Sequence, residues 1–161
     1  MSQTVSRWDK HFIDICIECS RMSKDPSTKV GSVIVSPDRE IISTGFNGLP
    51  RGVMDTEERL FNRELKYKLI VHAEMNAILA AAKLGHPLKG TTLYVAATGV
   101  AGVWGGPPCL RCAVEIIQAG ISKIVSIPFK NVPSKWQESL KEAQKILSEA
   151  GIEYTEIPWQ R

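Results

Sequence analysis

Residues 71–79 read VHAEMNAIL, with a histidine and a glutamate at the head of an apolar run. The run continues as MNAILAAAKLG and predicts a helix over residues 75–85, ending at Gly85. A helix that only fills a core needs neither His72 nor Glu74 at its start. Histidine is a common metal ligand, but near an apolar segment it is more often a hydrogen-bonded packing residue. These nine residues alone therefore leave the role of the pair open.

A second stretch, PPCLRC at residues 107–112, contains a Cys-x-x-Cys pair at the start of another predicted helix. Residues three apart on a helical turn face the same side, so the thiols of Cys109 and Cys112 can bind one metal ion. If the two helices pack side by side, their first residues meet and His72 completes a three-ligand set. Three protein ligands on tetrahedral zinc leave a position for water, which is the pattern of a catalytic site. Glu74 is then the base that accepts and returns protons.

The other cysteines and histidines are predicted to be structural. Cys16 and Cys19 form a second Cys-x-x-Cys pair, but they lie on the apolar face of a predicted helix over residues 5–22. Small buried hydrophobes are the usual explanation for such a pair, and no further ligands stand nearby at metal-site spacing. His11 and His86 have no visible partner in the sequence.

The composition is that of a globular domain and sets limits on the partners. Of 161 residues, 43% are hydrophobic and 23% charged, which predicts a single domain over residues 1–161 with a sizeable core. The formal net charge of +3 does not require a nucleic acid and suits a small anionic ligand. No apolar run approaches the ~20 residues of a membrane span, and the N-terminus lacks a signal-peptide pattern. We therefore expect a cytoplasmic protein with no membrane partner, whose four cysteines stay reduced.

Helical and strand patterns alternate along the chain and predict an α/β fold. Two β-branched runs, residues 30–37 and 39–46, are joined by a Pro-Asp turn and predict a hairpin. Residues 47–71 predict a longer, charged and less regular connection. The alternation that follows predicts a mixed sheet with helices on both faces. The other predicted elements are helices over residues 109–120 and 133–151 and strands over residues 91–97, 123–128 and 152–157.

The two motifs, HAEMNAIL and PPCLRCA, resemble the zinc motifs of the cytidine deaminase superfamily. Three further stretches resemble the deoxycytidylate (dCMP) deaminases within it: SKDPSTKVGSVIV, GFNGLPRG and KYKLIVHAE, at residues 23–35, 45–52 and 66–74. The resemblance covers about residues 8–157. It implies a cytidine-deaminase-like three-layer fold, with a five-stranded mixed sheet between helices. It also implies zinc-dependent hydrolysis of dCMP to dUMP and ammonia by a homo-oligomer, typically a hexamer.

The same resemblance assigns roles around the substrate. Water activated by zinc would attack C4 of cytosine while Glu74 protonates N3 and then the departing amino group. Asn47 would hydrogen-bond the deoxyribose, and the backbone of Ala73 would read the pyrimidine edge. Phe129 is the nearest candidate for the aromatic residue that packs on the base in this family. Lys130 beside it is a candidate for holding the phosphate.

The resemblance also implies regulation, with dCTP as activator and dTTP as inhibitor at a site separate from the zinc. In that site glycines let backbone N–H groups approach phosphate, while Lys and Arg side chains and a bridging Mg²⁺ bind the triphosphate. A solvated, charged surface loop is the alternative interpretation of the same residues. The candidate effector residues are Lys24, Asn47, Gly48, Arg51, Gly52, Glu64, Lys66 and Tyr67.

Two features depart from the family pattern. The link TGVAGVWGGP at residues 98–107 is several residues longer than is common, and predicts either a mobile loop at the mouth of the site or a solvent loop with Trp104 held at the surface. Ala80 replaces a larger aromatic residue of some regulated relatives, and Lys83 stands near the position of a subunit-contact arginine. Both bear on regulation and not on the chemistry.

Three other functions share part of the pattern. A tRNA or single-stranded DNA deaminase has the same zinc motifs but is expected to carry a stronger basic surface and more stacking aromatics. A nucleoside deaminase shares the chemistry without the loop at residues 45–52. A catalytically silent, zinc-stabilised binding module would have no use for Glu74.

Overall fold

The computed structural model describes residues 5–100 and 102–160, which form six helices and six strands. In chain order these are α1 Arg7–Ser20, β1 Thr28–Val35, β2 Ile41–Phe46, α2 Glu57–Phe61, α3 Arg63–Leu69, α4 Ala73–Lys83, β3 Thr92–Gly99, β4 Gly102–Trp104, α5 Leu110–Gln118, β5 Lys123–Ser126, α6 Ser134–Glu149 and β6 Glu153–Glu156. None of the described helices combines the length and the apolar character that a bilayer crossing requires.

The strands form one mixed sheet in the order β2-β1-β3-β5-β6. Strand β1 is antiparallel to both β2 and β3, whereas β3, β5 and β6 run parallel. The predicted hairpin and five-stranded mixed sheet are confirmed. A short sixth strand, β4, extends β3 as an antiparallel arm and was not predicted.

Both faces of the sheet are covered by helices, as predicted, because successive strand residues point to opposite sides. On β1, Val33 and Val35 pack against Phe12, Ile13 and other residues of α1. The intervening Ile34 packs on the opposite face, in the cluster that contains residues of α4, α5 and α6. The molecule is therefore a three-layer α/β structure, with α1 on one side of the sheet and α4, α5 and α6 on the other.

Two glycines allow helices to approach the sheet closely. A Cβ added at Gly31 would lie 1.8 Å from the carbonyl oxygen of Cys16 in α1, and one added at Gly45 would lie 2.3 Å from that of Ala73 in α4. Neither distance leaves room for a side chain. The contact at Gly45 is the one that seats the start of α4, next to His72, against β2.

The connection over residues 47–71 is more regular than predicted. It contains the short helices α2 and α3, whose first turns are capped by the side chains of Thr56 and Asn62. These polar caps explain how such a charged stretch becomes helical, since each accepts a hydrogen bond from an otherwise unpaired backbone N–H.

The second Cys-x-x-Cys pair, Cys16 and Cys19, lies on α1, and its predicted structural role stays a prediction. Cys16 is fully buried in the core between α1 and the sheet, and burial raises the pKa of its thiol. Among the described residues, neither cysteine belongs to a cluster of metal-binding side chains.

Candidate metal centre

The zinc ligands predicted from the sequence lie at two helix starts. His72 is the N-cap residue of α4 and Cys109 that of α5, and both have extended backbone angles. Neither side chain caps its own helix, so both are available to a ligand. Cys112 is the third residue of α5 and lies buried on the side that faces Cys109 and His72.

The three donor atoms are already close together. Nδ1 of His72 lies 3.4 Å from Sγ of Cys109 and 3.3 Å from Sγ of Cys112. In tetrahedral zinc sites, nitrogen and sulfur ligands are separated by about 3.6 Å, as bond lengths of about 2.05 and 2.3 Å require. One nitrogen and two sulfur donors also match the preference of zinc. The residues therefore fit a zinc ion bound through Nδ1 of His72 and the two thiolates.

The electrostatics of the cluster favour a bound cation. The Cys112 thiol and then the His72 ring, as hydrogen-bonding partners, hold the pKa of Cys109 down to about 4. The same contact with Cys109, together with burial, raises the pKa of Cys112, because a thiol that donates a hydrogen bond to a neighbouring thiolate holds its proton more tightly. A divalent cation stabilises both thiolates at once. The positive ends of the α4 and α5 dipoles act in the same direction.

Glu74 stands apart from the three ligands. It is the second residue of α4 and is only 6% exposed. Its carboxylate is not in the group of donor atoms that lie within 4.8 Å of one another, which consists of His72, Cys109 and Cys112. Burial raises the pKa of Glu74. Glu74 thus lies near the metal cluster without being one of its three ligands, and its predicted role in proton transfer stays a prediction.

A cavity of about 400 Å³ opens onto this cluster. That volume lies within the range typical of small-molecule sites. Of the four predicted substrate residues, Asn47, Ala73 and Phe129 line the cavity, whereas Lys130 is an exposed residue of the following turn and does not. The phosphate role predicted for Lys130 therefore has no support from the cavity.

The side chain of Asn47 is largely committed to the backbone. Its Oδ1 accepts a hydrogen bond from the N–H of Val30 at 2.7 Å, and its Nδ2 donates to the carbonyl of Thr28 at 2.9 Å. These bonds tie the loop after β2 to the start of β1. Asn47 keeps one N–H and one oxygen lone pair for a sugar hydroxyl, so its predicted contact with deoxyribose stays a prediction.

Over the part that the structure describes, the link at residues 98–107 packs against the cavity and is not a solvent loop, whereas its predicted mobility stays a prediction. Strand β4 pairs with the end of β3, and the N–H of Gly106 donates to the carbonyl of Ile127 at 2.8 Å. Trp104 stacks on Phe129 with ring centroids 4.5 Å apart and an angle of 24° between the rings. Both rings line the cavity. Ala101 lies outside the described residues.

The family is decided by a comparison with known proteins. Residues 6–127 match the model of the cytidine and deoxycytidylate deaminase zinc-binding region. The chain belongs to this deaminase family. The match includes all three residues of the metal cluster, as well as Glu74.

Individual relatives of this deaminase agree with the match. This chain is 39% identical over 155 residues to an uncharacterised deaminase of Aliivibrio fischeri, and the alignment covers 96% of each chain. It is 32% identical to the deoxycytidylate deaminase of Mus musculus, with 91% of this chain and 78% of the relative covered. The dCMP deaminase of cyanophage S-TIM5, solved with dCMP and dUMP, has the same fold, with a TM-score of 0.71, 22% identity and coverage of 96% and 100%.

Of the eight predicted effector residues of this deaminase, three line the zinc cavity and five do not. Asn47, Lys66 and Tyr67 line the zinc cavity. Lys66 is buried and its Nζ contacts Asp25 at 3.1 Å. This contact could not be predicted from the sequence, because Asp25 and Lys66 are 41 residues apart. The other predicted effector residues, which are not among those that line the cavity, are Lys24, Gly48, Arg51, Gly52 and Glu64.

Two residues at the start of α6, Lys135 and Trp136, also line the cavity and were not predicted from the sequence. Neither belongs to a motif. Only the packing of α6 beside α5 brings them to the metal cluster.

Proposed function

We propose that this protein is a zinc-dependent deoxycytidylate deaminase, which hydrolyses dCMP to dUMP and ammonia. The observation that carries the proposal is the buried carboxylate of Glu74 beside a three-ligand zinc site at the base of a cavity. Structural zinc sites almost always have four protein ligands, and they have no use for a buried base. This argues against a catalytically silent, zinc-stabilised binding module.

The metal and the protein supply different parts of the chemistry. Zinc, when bound, lowers the pKa of water and so supplies a nucleophile near neutral pH. Glu74 accepts a proton from the attacking water and delivers protons to N3 of the ring and to the departing amino group. One water is added at C4 and one ammonia is lost, without a redox change. The raised pKa of Glu74 suits this role, because a proton shuttle works best when its pKa lies near the operating pH.

The cavity favours a small substrate that carries phosphate. Lys66 and Lys135 line it together with His72 and Glu74, so cationic groups lie within one small cavity of the reacting centre. Lys66 is already paired with Asp25, so Lys135 is the cationic group that a substrate phosphate would engage and that a nucleoside would not. Relatives named deoxycytidylate deaminase support the same choice. The net charge of +3 and the aromatic content of 7% do not favour a tRNA or single-stranded DNA substrate.

A substrate panel tests the proposal. Purified, zinc-loaded protein is incubated with dCMP, deoxycytidine and a cytosine-containing oligonucleotide, and ammonia release is measured. We expect dCMP to be deaminated faster than either of the others by a wide margin. Comparable rates on the oligonucleotide would move the protein to the nucleic-acid deaminases.

We also propose that dCTP activates and dTTP inhibits the enzyme, with Mg²⁺ bridging the oxygens of the triphosphate. Of the predicted effector residues, we assign to this site the five that do not line the zinc cavity: Lys24, Gly48, Arg51, Gly52 and Glu64. Lys24 is paired with Asp55 at 2.6 Å, but its side chain is 70% exposed. Exposed pairs of this kind contribute only about 0–1 kcal/mol. A triphosphate can therefore take Lys24 from Asp55 at little cost.

We further propose that the single domain of residues 1–161 assembles into a homo-oligomer, a hexamer, and acts in the cytoplasm on free nucleotides. Exposed apolar side chains on α4 and α5, such as Leu79 and Val114, support an association surface. Light scattering coupled to size-exclusion chromatography measures the mass. A monomer at micromolar concentration would contradict the assembly.

A further inference from the structure

The aromatic pair that lines the cavity is built from two distant segments. Trp104 is the last residue of β4, in the insertion at residues 98–107. Phe129 lies in the irregular segment between β5 and α6. Because Phe129 belongs to neither a strand nor a helix, the orientation of the Phe129 ring depends on the groups that pack against it.

Two contacts hold Phe129 from the side of the insertion. The indole ring of Trp104 stacks on it at 4.5 Å. The backbone at Gly106 also approaches it so closely that an added Cβ would lie 2.9 Å from Cβ of Phe129. Gly106 is in turn fixed by hydrogen bonds from its N–H to the carbonyl of Ile127 at 2.8 Å and to Oγ of Ser126 at 3.1 Å. The insertion is therefore fastened to the strand that leads into Phe129.

We propose that Trp104 is a positioning residue for the substrate. It holds the ring of Phe129 as a fixed wall of the cavity, so that substrate affinity depends on an insertion that carries none of the zinc ligands. This rests on the proposed function in so far as the bound molecule is dCMP. The physical reason is that a wall ordered before binding loses less side-chain freedom when the substrate arrives.

The chain offers a matched control for the loss of a stacked tryptophan. Trp8 stacks on Phe12 with ring centroids 5.9 Å apart and an angle of 25° between the rings, and it is 37% exposed. Neither ring is among the residues that line the zinc cavity. Replacing Trp8 removes a similar stacking contact on the far side of the sheet.

The test measures KM and kcat for dCMP in the parent and in five variants: Trp104→Ala, Trp104→Phe, Phe129→Ala, the Trp104→Ala/Phe129→Ala double variant and Trp8→Ala. We expect Trp104→Ala to raise KM about tenfold with kcat changed less than about threefold, in keeping with the energy of an aromatic pair. Trp104→Phe should restore most of the affinity, and Trp8→Ala should leave KM unchanged. Because Trp104 acts through Phe129, the double variant should be no worse than Phe129→Ala.

A second readout does not depend on activity. Amide hydrogen exchange at Gly106 should be slow in the parent and in Trp104→Phe, and faster in Trp104→Ala. Parent protein that fails to deaminate dCMP, but shows this exchange pattern, would contradict the proposed function and leave the positioning of the wall supported. Unchanged KM and unchanged Gly106 exchange in Trp104→Ala, or fully additive effects in the double variant, would overturn the inference about Trp104.

Discussion

Gly48 and Val71 exchange two backbone hydrogen bonds. The N–H of Gly48 donates to the carbonyl of Val71 at 3.1 Å, and the N–H of Val71 donates to the carbonyl of Gly48 at 2.8 Å. Val71 directly precedes His72, so the bridge joins the loop at residues 45–52 to the segment that carries a zinc ligand and Glu74. A ligand that displaces this loop therefore acts on the catalytic groups through the backbone.

The bridge makes the proposed regulation testable through Arg51, which is exposed on the same loop. Arg51→Ala should abolish inhibition by dTTP–Mg while leaving effector-free turnover largely intact, because Arg51 does not line the cavity. Coupling between sites typically amounts to about 1–3 kcal/mol, or roughly 5–150-fold in affinity. Rates measured across dCMP concentration, with and without dTTP–Mg, decide the matter. Inhibition by dTTP–Mg that is purely competitive with dCMP, or an Arg51→Ala variant that is inhibited like the parent, would contradict a second site. Arg7→Ala, which replaces an exposed residue of α1, is the control.

Zinc content tests the metal cluster. The parent should contain about one zinc per chain, and Cys112→Ala should lose most of it, because one of three ligands is removed. Cys19→Ala is the matched control and should retain the metal, since Cys19 is not part of the cluster. Elemental analysis of dialysed protein measures both. Full retention in Cys112→Ala would show that this residue is not a ligand.

Glu74→Gln separates proton transfer from metal binding. The amide is nearly isosteric with the carboxylate but cannot shuttle protons, so zinc should stay bound while kcat falls by about 10²–10⁴-fold or more. Glu142→Gln on α6, an exposed residue, serves as the control. Near-normal deamination by Glu74→Gln would mean that another group carries the protons.

Gly31→Ala tests the packing of α1 on the sheet. The added methyl would lie 1.8 Å from the carbonyl oxygen of Cys16 and 2.7 Å from the nitrogen of Ser20, and both are backbone atoms that cannot rotate away. We expect a loss of about 3 kcal/mol or more in the free energy of unfolding, at the upper end for overpacking. Denaturant titration measures it. Gly48→Ala should be nearly neutral, since nothing lies within 4 Å of its added Cβ; equal losses in the two variants would contradict the close approach.

Much of the metal centre could be predicted from the sequence. Cys109 and Cys112 are joined by one helical turn, and His72 and Cys109 are each followed at once by a helix. Local geometry thus fixes where these side chains point, and helix starts on one face of an α/β sheet tend to meet. The same holds for the hairpin of β1 and β2, whose turn residues are adjacent in the chain.

Other walls of the cavity, beyond the predicted residues Asn47, Ala73 and Phe129, were decided by tertiary structure. Trp104 meets Phe129 only because β4 folds back on β3 and Gly106 binds to the end of β5. Lys66, expected on the effector surface, is drawn into the cavity by an ion pair with Asp25, across 41 residues of sequence. Spacing along a helix or a turn is set by the backbone and can be read from the sequence. Contacts between segments that are far apart in the chain depend on how the sheet and its helices pack, and no local pattern records them.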